Sequence, residues 1–174
     1  MNRYAFAMIA VMTASLAVPG YAGDQYIDRT GYAVSGYDVV AYRSLAQNPV
    51  GKTQPKAVPG KAEITTEYNG AKFAFATETN RDTFLKNPAR FVPQYDGHCA
   101  YGVAVGNKVP ANPHLWRIVD DKLYLNITKD IARTWDRNVP GYIKSSDRKW
   151  GRLESRRASR DRIPGFSSKA PNGS

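Results

Sequence analysis

The stretch ITTEYNGAKFAFAT, at positions 64–77, leaves this chain little conformational choice. Asn-Gly is the dipeptide best suited to a two-residue type I′ turn, in which both central residues need positive φ. Here it separates two short segments of strand-like residues. Closing a hairpin on Asn69-Gly70 sets Tyr68 opposite Ala71 and Thr66 opposite Phe73. Ile64, Thr66 and Tyr68 then share one face with Ala71, Phe73 and Phe75, and that face has to be covered.

The rest of the chain offers cover from both directions. TETNRDTFLKNPARFVP (77–93) reads as helix, with Thr79 as cap, Asp82 three residues later as in a capping box, and Phe84 and Leu85 on the apolar side. Asn87-Pro88 restarts it, Asn as N-cap and Pro in the first turn. HLWRIVDDKLYLN (114–126) predicts a second hairpin around Asp120-Asp121, followed by a helix near Thr128 to Arg137 and a last one from Ile143 to Ser155. Ahead of the first hairpin, GYAVSGYDVVAYRS (31–44) is an opening loop with a short strand or helical turn at Val39–Tyr42, and residues 48–60 form a Pro/Gly/Lys loop without period. The expected fold class is α+β: a small single domain of short antiparallel β-hairpins packed with helices.

The N-terminus predicts an address. Arg3, an apolar run from Ala5 to Val18, then Pro19, Gly20 and Ala22 have the layout of a secretory signal peptide cut between Ala22 and Gly23. An uncleaved anchor is the alternative; the run is short for a bilayer span, and Pro19 and Gly20 end it. The expected organisation is a signal peptide at 1–22, a domain at 23–150 and a basic, disordered tail at 151–174, in a periplasmic or secreted protein. The formal charge of +10 is concentrated late: residues 144–174 carry nine Lys or Arg against three Asp or Glu, residues 23–143 fifteen against twelve. Arg runs favour nucleic acid, but export argues against that partner, leaving a merely solvated tail ahead of a weak contact with an anionic membrane surface or cell-envelope polymers.

Chemistry concentrates in QYDGHCAYGVAVG (94–106), which holds the single cysteine, Cys99, beside one of the two histidines, His98. One cysteine makes no internal disulfide, and an odd thiol in an oxidising compartment is unusual. It is a nucleophile, a soft-metal ligand, or a small buried hydrophobe. A reactive thiolate needs an electropositive or donating neighbour: His98, His114, or a backbone N–H from Ala100 or Tyr101. One Cys and two His fall short of a closed tetrahedral zinc site, whereas Cu(I) needs fewer ligands. Asp38 reads as a cap or turn acceptor, and the aromatic residues as core, with the hydroxyls of Tyr37 and Tyr42 bonded at its rim. No Ser/His/Asp spacing, CxxC, HExxH or phosphate loop occurs, so a hydrolase has nothing to stand on.

GYDVVAY (36–42), YNGAKFAFAT (68–77), FLKNPARFVPQYDGHCAYGVAVG (84–106) and LWRIVDDKLYLN (115–126), in this order, resemble the YHS domain family across residues 31–150. More narrowly, they are similar to its exported members with cysteine, or sometimes selenocysteine, at the position of Cys99. Relatives in copper ATPases are thought to bind soft metals through cysteines near the hairpin end and helix start. That region here is FAFATETN and has no cysteine. Metal binding therefore does not carry over on those cysteines; what the resemblance carries over is Cys99. The expectation is an exported binding module for a soft metal such as copper, with Cys99, His98 and His114 as ligands and Tyr37, Asp38, Tyr42 and Trp116 in support. Two alternatives stand beside it: a thiol-dependent redox protein with Cys99 as nucleophile and a redox partner protein, or a non-catalytic structural or interaction domain. An enzyme is the less favoured class.

Overall fold

A computed structural model describes residues 23–171. The expected signal segment, residues 1–22, lies outside the described residues. The architecture is α+β, as expected: two separate two-stranded antiparallel hairpins and five helices.

β1 (Lys61–Tyr68) and β2 (Ala71–Phe75) pair in the register the turn dictates, Tyr68 with Ala71 and Thr66 with Phe73. Asn69 and Gly70 both take positive φ, 48° and 70°. A bulge between Lys61 and Thr65 bends the far end of β1. β3 (Asn112–Val119) and β4 (Lys122–Asn126) turn on Asp120 and Asp121, with φ of 49° and 59°, so this second primed turn forms without glycine.

α1 (Glu78–Lys86) starts on Thr77, whose hydroxyl accepts from Asn80 N at 3.1 Å; Thr79 sits inside the first turn instead of capping it. Thr77 is the last extended residue after β2, so its Oγ1 is the one that meets the free N–H groups. Phe84 alone carries the apolar side of α1, packing on Tyr68, Phe73, Phe75 and Phe91, while Leu85 faces solvent. α2 (Pro88–Phe91) begins at Asn87-Pro88 as expected. α3 (Ala100–Ala104) and α4 (Lys129–Asp136) follow, α4 capped by Thr128. α5 (Val139–Leu153) starts four residues before Ile143, because Asn138 caps it, accepting from Gly141 N at 3.1 Å, with Pro140 in its first turn.

β4 separates two cores. Its period of two sends Leu123 and Leu125 into a cluster with the first hairpin, Phe84 and Trp116, and sends Tyr124 into a second cluster with Val103, Trp135, Val139 and Leu153. Cys99 lies in the first cluster and Ala100 in the second, so the chain crosses from one to the other at this bond.

The expected disordered tail is corrected. The helix runs through position 151 to a buried Leu153, and residues 154–171 lie along the domain. Ser159 N donates to His98 Nε2 at 3.1 Å, the Tyr26 hydroxyl to Asp161 O at 3.2 Å, and Ser168 Oγ to Ser35 O at 2.6 Å. Composition concealed this because the anchors are sparse: Ile163 and Ala170 are buried, and Phe166 packs between Tyr37 and His114. Burying one Ile is worth about 1.5–3 kcal/mol. Truncation after Arg156 is therefore expected to lower the melting temperature by roughly 4–8 °C, from about 2 kcal/mol lost at 2–4 °C per kcal/mol. An unchanged melting curve would show that the strap contributes nothing to the fold.

Candidate functional site

The opening segment is a frame. Two 3-10 turns, Val34–Gly36 and Ala41–Ser44, carry Tyr37, Asp38 and Tyr42. Asp38 has no exposed surface: Oδ1 accepts from Val40 N (2.8 Å) and Ala41 N (3.1 Å), Oδ2 from Ala76 N (2.8 Å) and Asn80 Nδ2 (2.7 Å). It is the turn acceptor expected from sequence. Tyr42 donates to Pro113 O at 2.8 Å and packs edge-on against Trp116, whose indole N–H donates to Pro55 O at 2.8 Å. Tyr37 packs edge-on against His114.

Cys99 is fully buried and caps α3. Its sulfur accepts from Gly102 N at 3.4 Å and its S–H donates to Asn126 Oδ1 at 3.5 Å. The same Oδ1 accepts from Tyr101 N at 3.2 Å. Burial pushes the thiol up to about 11, with the Gly102 N–H opposing weakly, so it is protonated at neutral pH. His98 is also buried. Its Nδ1–H donates to Tyr95 O at 3.0 Å and its Nε2 accepts from Ser159 N, which assigns the neutral tautomer. Desolvation pulls it down to about 4. His114 accepts from Ala57 N through Nδ1 at 3.1 Å, and burial lowers its pKa too.

The three expected ligands are not brought together. His98 turns toward Tyr26 and the C-terminal strap, Cys99 toward Asn126, and His114 toward Tyr37 and Phe166. Among the described residues no group of three or more His, Cys, Asp and Glu could hold a metal ion. The hydrogen-bond donor to Cys99 is Gly102 N, not the Ala100 or Tyr101 N–H foreseen from sequence, and it serves a helix cap; Tyr101 N donates to Asn126.

Asn126 leads from Cys99 to a cavity of about 130 Å³ on the other side of the strand, walled by β3, α4 and residues 51–54. The structureless 48–60 loop is bolted over it by side chains. Arg117 is 6% exposed and donates to both oxygens of Asp136 (2.9 and 2.8 Å), to Asn48 O (3.1 Å) and to Pro49 O (3.4 Å). Asp136 Oδ2 also accepts from Gly51 N at 2.8 Å. Gln54 bonds both N and O of Asn48. Lys52, Lys129 and Arg133 add positive charge to the lining, and the indole N–H of the buried Trp135, also in the wall, has no acceptor.

Sequence reasoning missed this site. Its one legible signal was the spacing of Lys129, Ala132, Arg133 and Asp136, which at i, i+3, i+4 and i+7 share a helix face.

As a cap, Cys99 is replaceable by an oxygen but not by a methyl. Cys99→Ser is expected to keep the fold, and Cys99→Ala to cost about 1–2 kcal/mol through the unpaired Gly102 N–H and the donor lost to Asn126. The native thiol should resist iodoacetamide at neutral pH until the protein unfolds, and the protein should take no Cu(I) from a competing chelator. Rapid alkylation, or Cu(I) uptake that Cys99→Ser abolishes, would return Cys99 to the role of ligand or nucleophile.

Searches of curated proteins and of solved structures return no match. The family comparison returns one, covering well under half of the chain and ending before His98 and Cys99. It takes in the bolted loop, the first hairpin, α1 and α2: residues 48–95 match the YHS domain.

Proposed function

We propose that this chain is an exported, non-enzymatic binding module that holds a small oxyanion, a short carboxylate or a phosphate, in the cavity between β3, α4 and the 51–54 loop. The observation that carries the reading is the charge balance of the wall. Lys52, Arg117, Lys129 and Arg133 line a wall with one carboxylate, Asp136, which Arg117 already neutralises with two hydrogen bonds, while Arg133 also pairs with Asp130 at the surface. Size fits the same class. A cavity of about 150 Å³ admits benzene, so this one suits a ligand of roughly six heavy atoms.

The reading is non-enzymatic because nothing in the wall is poised to move a proton. His114 Nδ1 is occupied by Ala57 N and its pKa is lowered, and the Asp136 carboxylate is spent on Arg117 and Gly51. Export rests on the signal-like residues 1–22. A soft-metal module, implied by the family resemblance, would require Cys99 to leave its cap.

Tryptophan emission during titration with inorganic phosphate or acetate reads the site directly. A saturable change is expected. Lys129→Glu with Arg133→Glu should weaken binding at least tenfold while leaving the melting temperature within about 2 °C. Both side chains face solvent, and the Arg133–Asp130 pair is a surface contact worth about 1 kcal/mol or less. No saturable response to either anion, or binding indifferent to the charge reversal, would overturn the proposal.

A further inference from the structure

The described chain begins in a buried acceptor pocket. Gly23 is buried, and a Cβ built on it would lie 2.2 Å from Glu154 O and 2.9 Å from Asp96 Oδ2, so no side chain fits at this position. Gln25 Nε2 donates to Asp96 Oδ1 at 2.9 Å and Tyr26 N donates to Asp96 O at 2.8 Å, which fixes the start of the domain against the 94–97 turn. Asp96 is 6% exposed, and its second oxygen, Oδ2, is buried without a hydrogen-bond partner. Tyr95 and Asp96 both hold positive φ, 58° and 53°, a conformation costly for residues with side chains. The nearby cation, Lys108, acts on the carboxylate only at a distance: its Nζ donates to Glu154 O at 3.1 Å and Arg156 O at 2.8 Å. A buried carboxylate oxygen without a hydrogen bond, 2.9 Å from where a Cβ of Gly23 would sit, is placed to take a charge on the Gly23 nitrogen, which lies one bond from the same Cα.

We infer that proteolytic processing supplies that charge: cleavage between Ala22 and Gly23 creates an α-ammonium that pairs with Asp96 Oδ2. This rests on the export reading above. Hydrolysis by a signal peptidase adds one water across the bond, Ala22 leaves as a carboxylate on the released segment, and the Gly23 nitrogen takes up a proton. The charges around the pocket agree. Asp96 is pushed up to about 6 by burial, with Glu154 and Asp24 adding to the rise and Lys108 opposing it, so the site is short of positive charge. Residue 23 thus meets two demands at once, small at the cut and without a Cβ in the pocket. The pair ties the new terminus to the turn that leads into His98 and Cys99 and to the end of α5, so the processed chain is held more tightly than its precursor.

The test is to export the full chain, purify it, determine its intact mass, and titrate the Gly23 α-amine by NMR. The account expects a chain beginning at Gly23 whose α-amine titrates at least one unit, tenfold in affinity for the proton, above the ordinary range of about 7.7–8.0. Asp96→Asn should return it to that range. If Asp96→Asn does not fold, the titration of the unaltered chain decides alone. A terminus elsewhere overturns the cut and with it this inference. A Gly23 terminus with an ordinary α-amine overturns the pairing and leaves export standing.

Discussion

The carboxylate of Asp38, with no exposed surface, holds the two ends of the fold together. Four donors converge on it, two from the opening turn, one from the end of β2 and one from α1. A buried charge is tolerated only when its oxygens are matched in this way. The consequences run outward. With the opening turn fixed, Tyr42 and Tyr37 are presented to β3, where they meet Pro113, Trp116 and His114. β3 in turn offers His114, Trp116 and Arg117 to the 48–57 loop, and those three side chains replace the secondary structure that the loop lacks.

How much of this was legible follows from the range of the forces involved. Turn chemistry is local, so Asn69-Gly70 announced its hairpin and register, and Thr128 its helix. Asp120-Asp121 announced a turn too. Caps two residues apart are nearly degenerate in sequence, so Thr79 and Thr77 compete, and Asn138 is masked because only Val139 of the first turn after it is buried. The strap at 154–171 was illegible for the opposite reason: its three apolar anchors carry no period and act through residues dozens to more than a hundred positions away. The cavity joins residues 51–54, 114–117 and 126–136, and no window of sequence contains it.

Cys99 shows how one observation admits more than one chemistry. The residue stood out because it is single and lies between glycines, beside a histidine. Its neighbours are indeed donors, but a five-residue helix consumes them, and burial raises the thiol when reactivity would need it lowered. His98, one residue away, is spent on Tyr95 and the strap. What remains functional at this junction is mechanical: Cys99 and Tyr101 N fix the Asn126 side chain, and Asn126 forms part of the cavity wall. Polar groups that are fully matched make structure; the proposed function rests instead on the cations of the cavity wall, which outnumber its one carboxylate.

The indole signals of the three tryptophans test that reading most directly. Trp116 already donates to Pro55 O, and Trp150 packs against Tyr95 and beneath Lys108, away from the cavity. In a nitrogen–proton correlation spectrum recorded during phosphate addition, the account predicts that the indole resonances of Trp116 and Trp135, both in the cavity wall, shift and saturate while that of Trp150 stays in place. A stationary Trp135 signal, or shifts confined to His98 and Cys99, would contradict it.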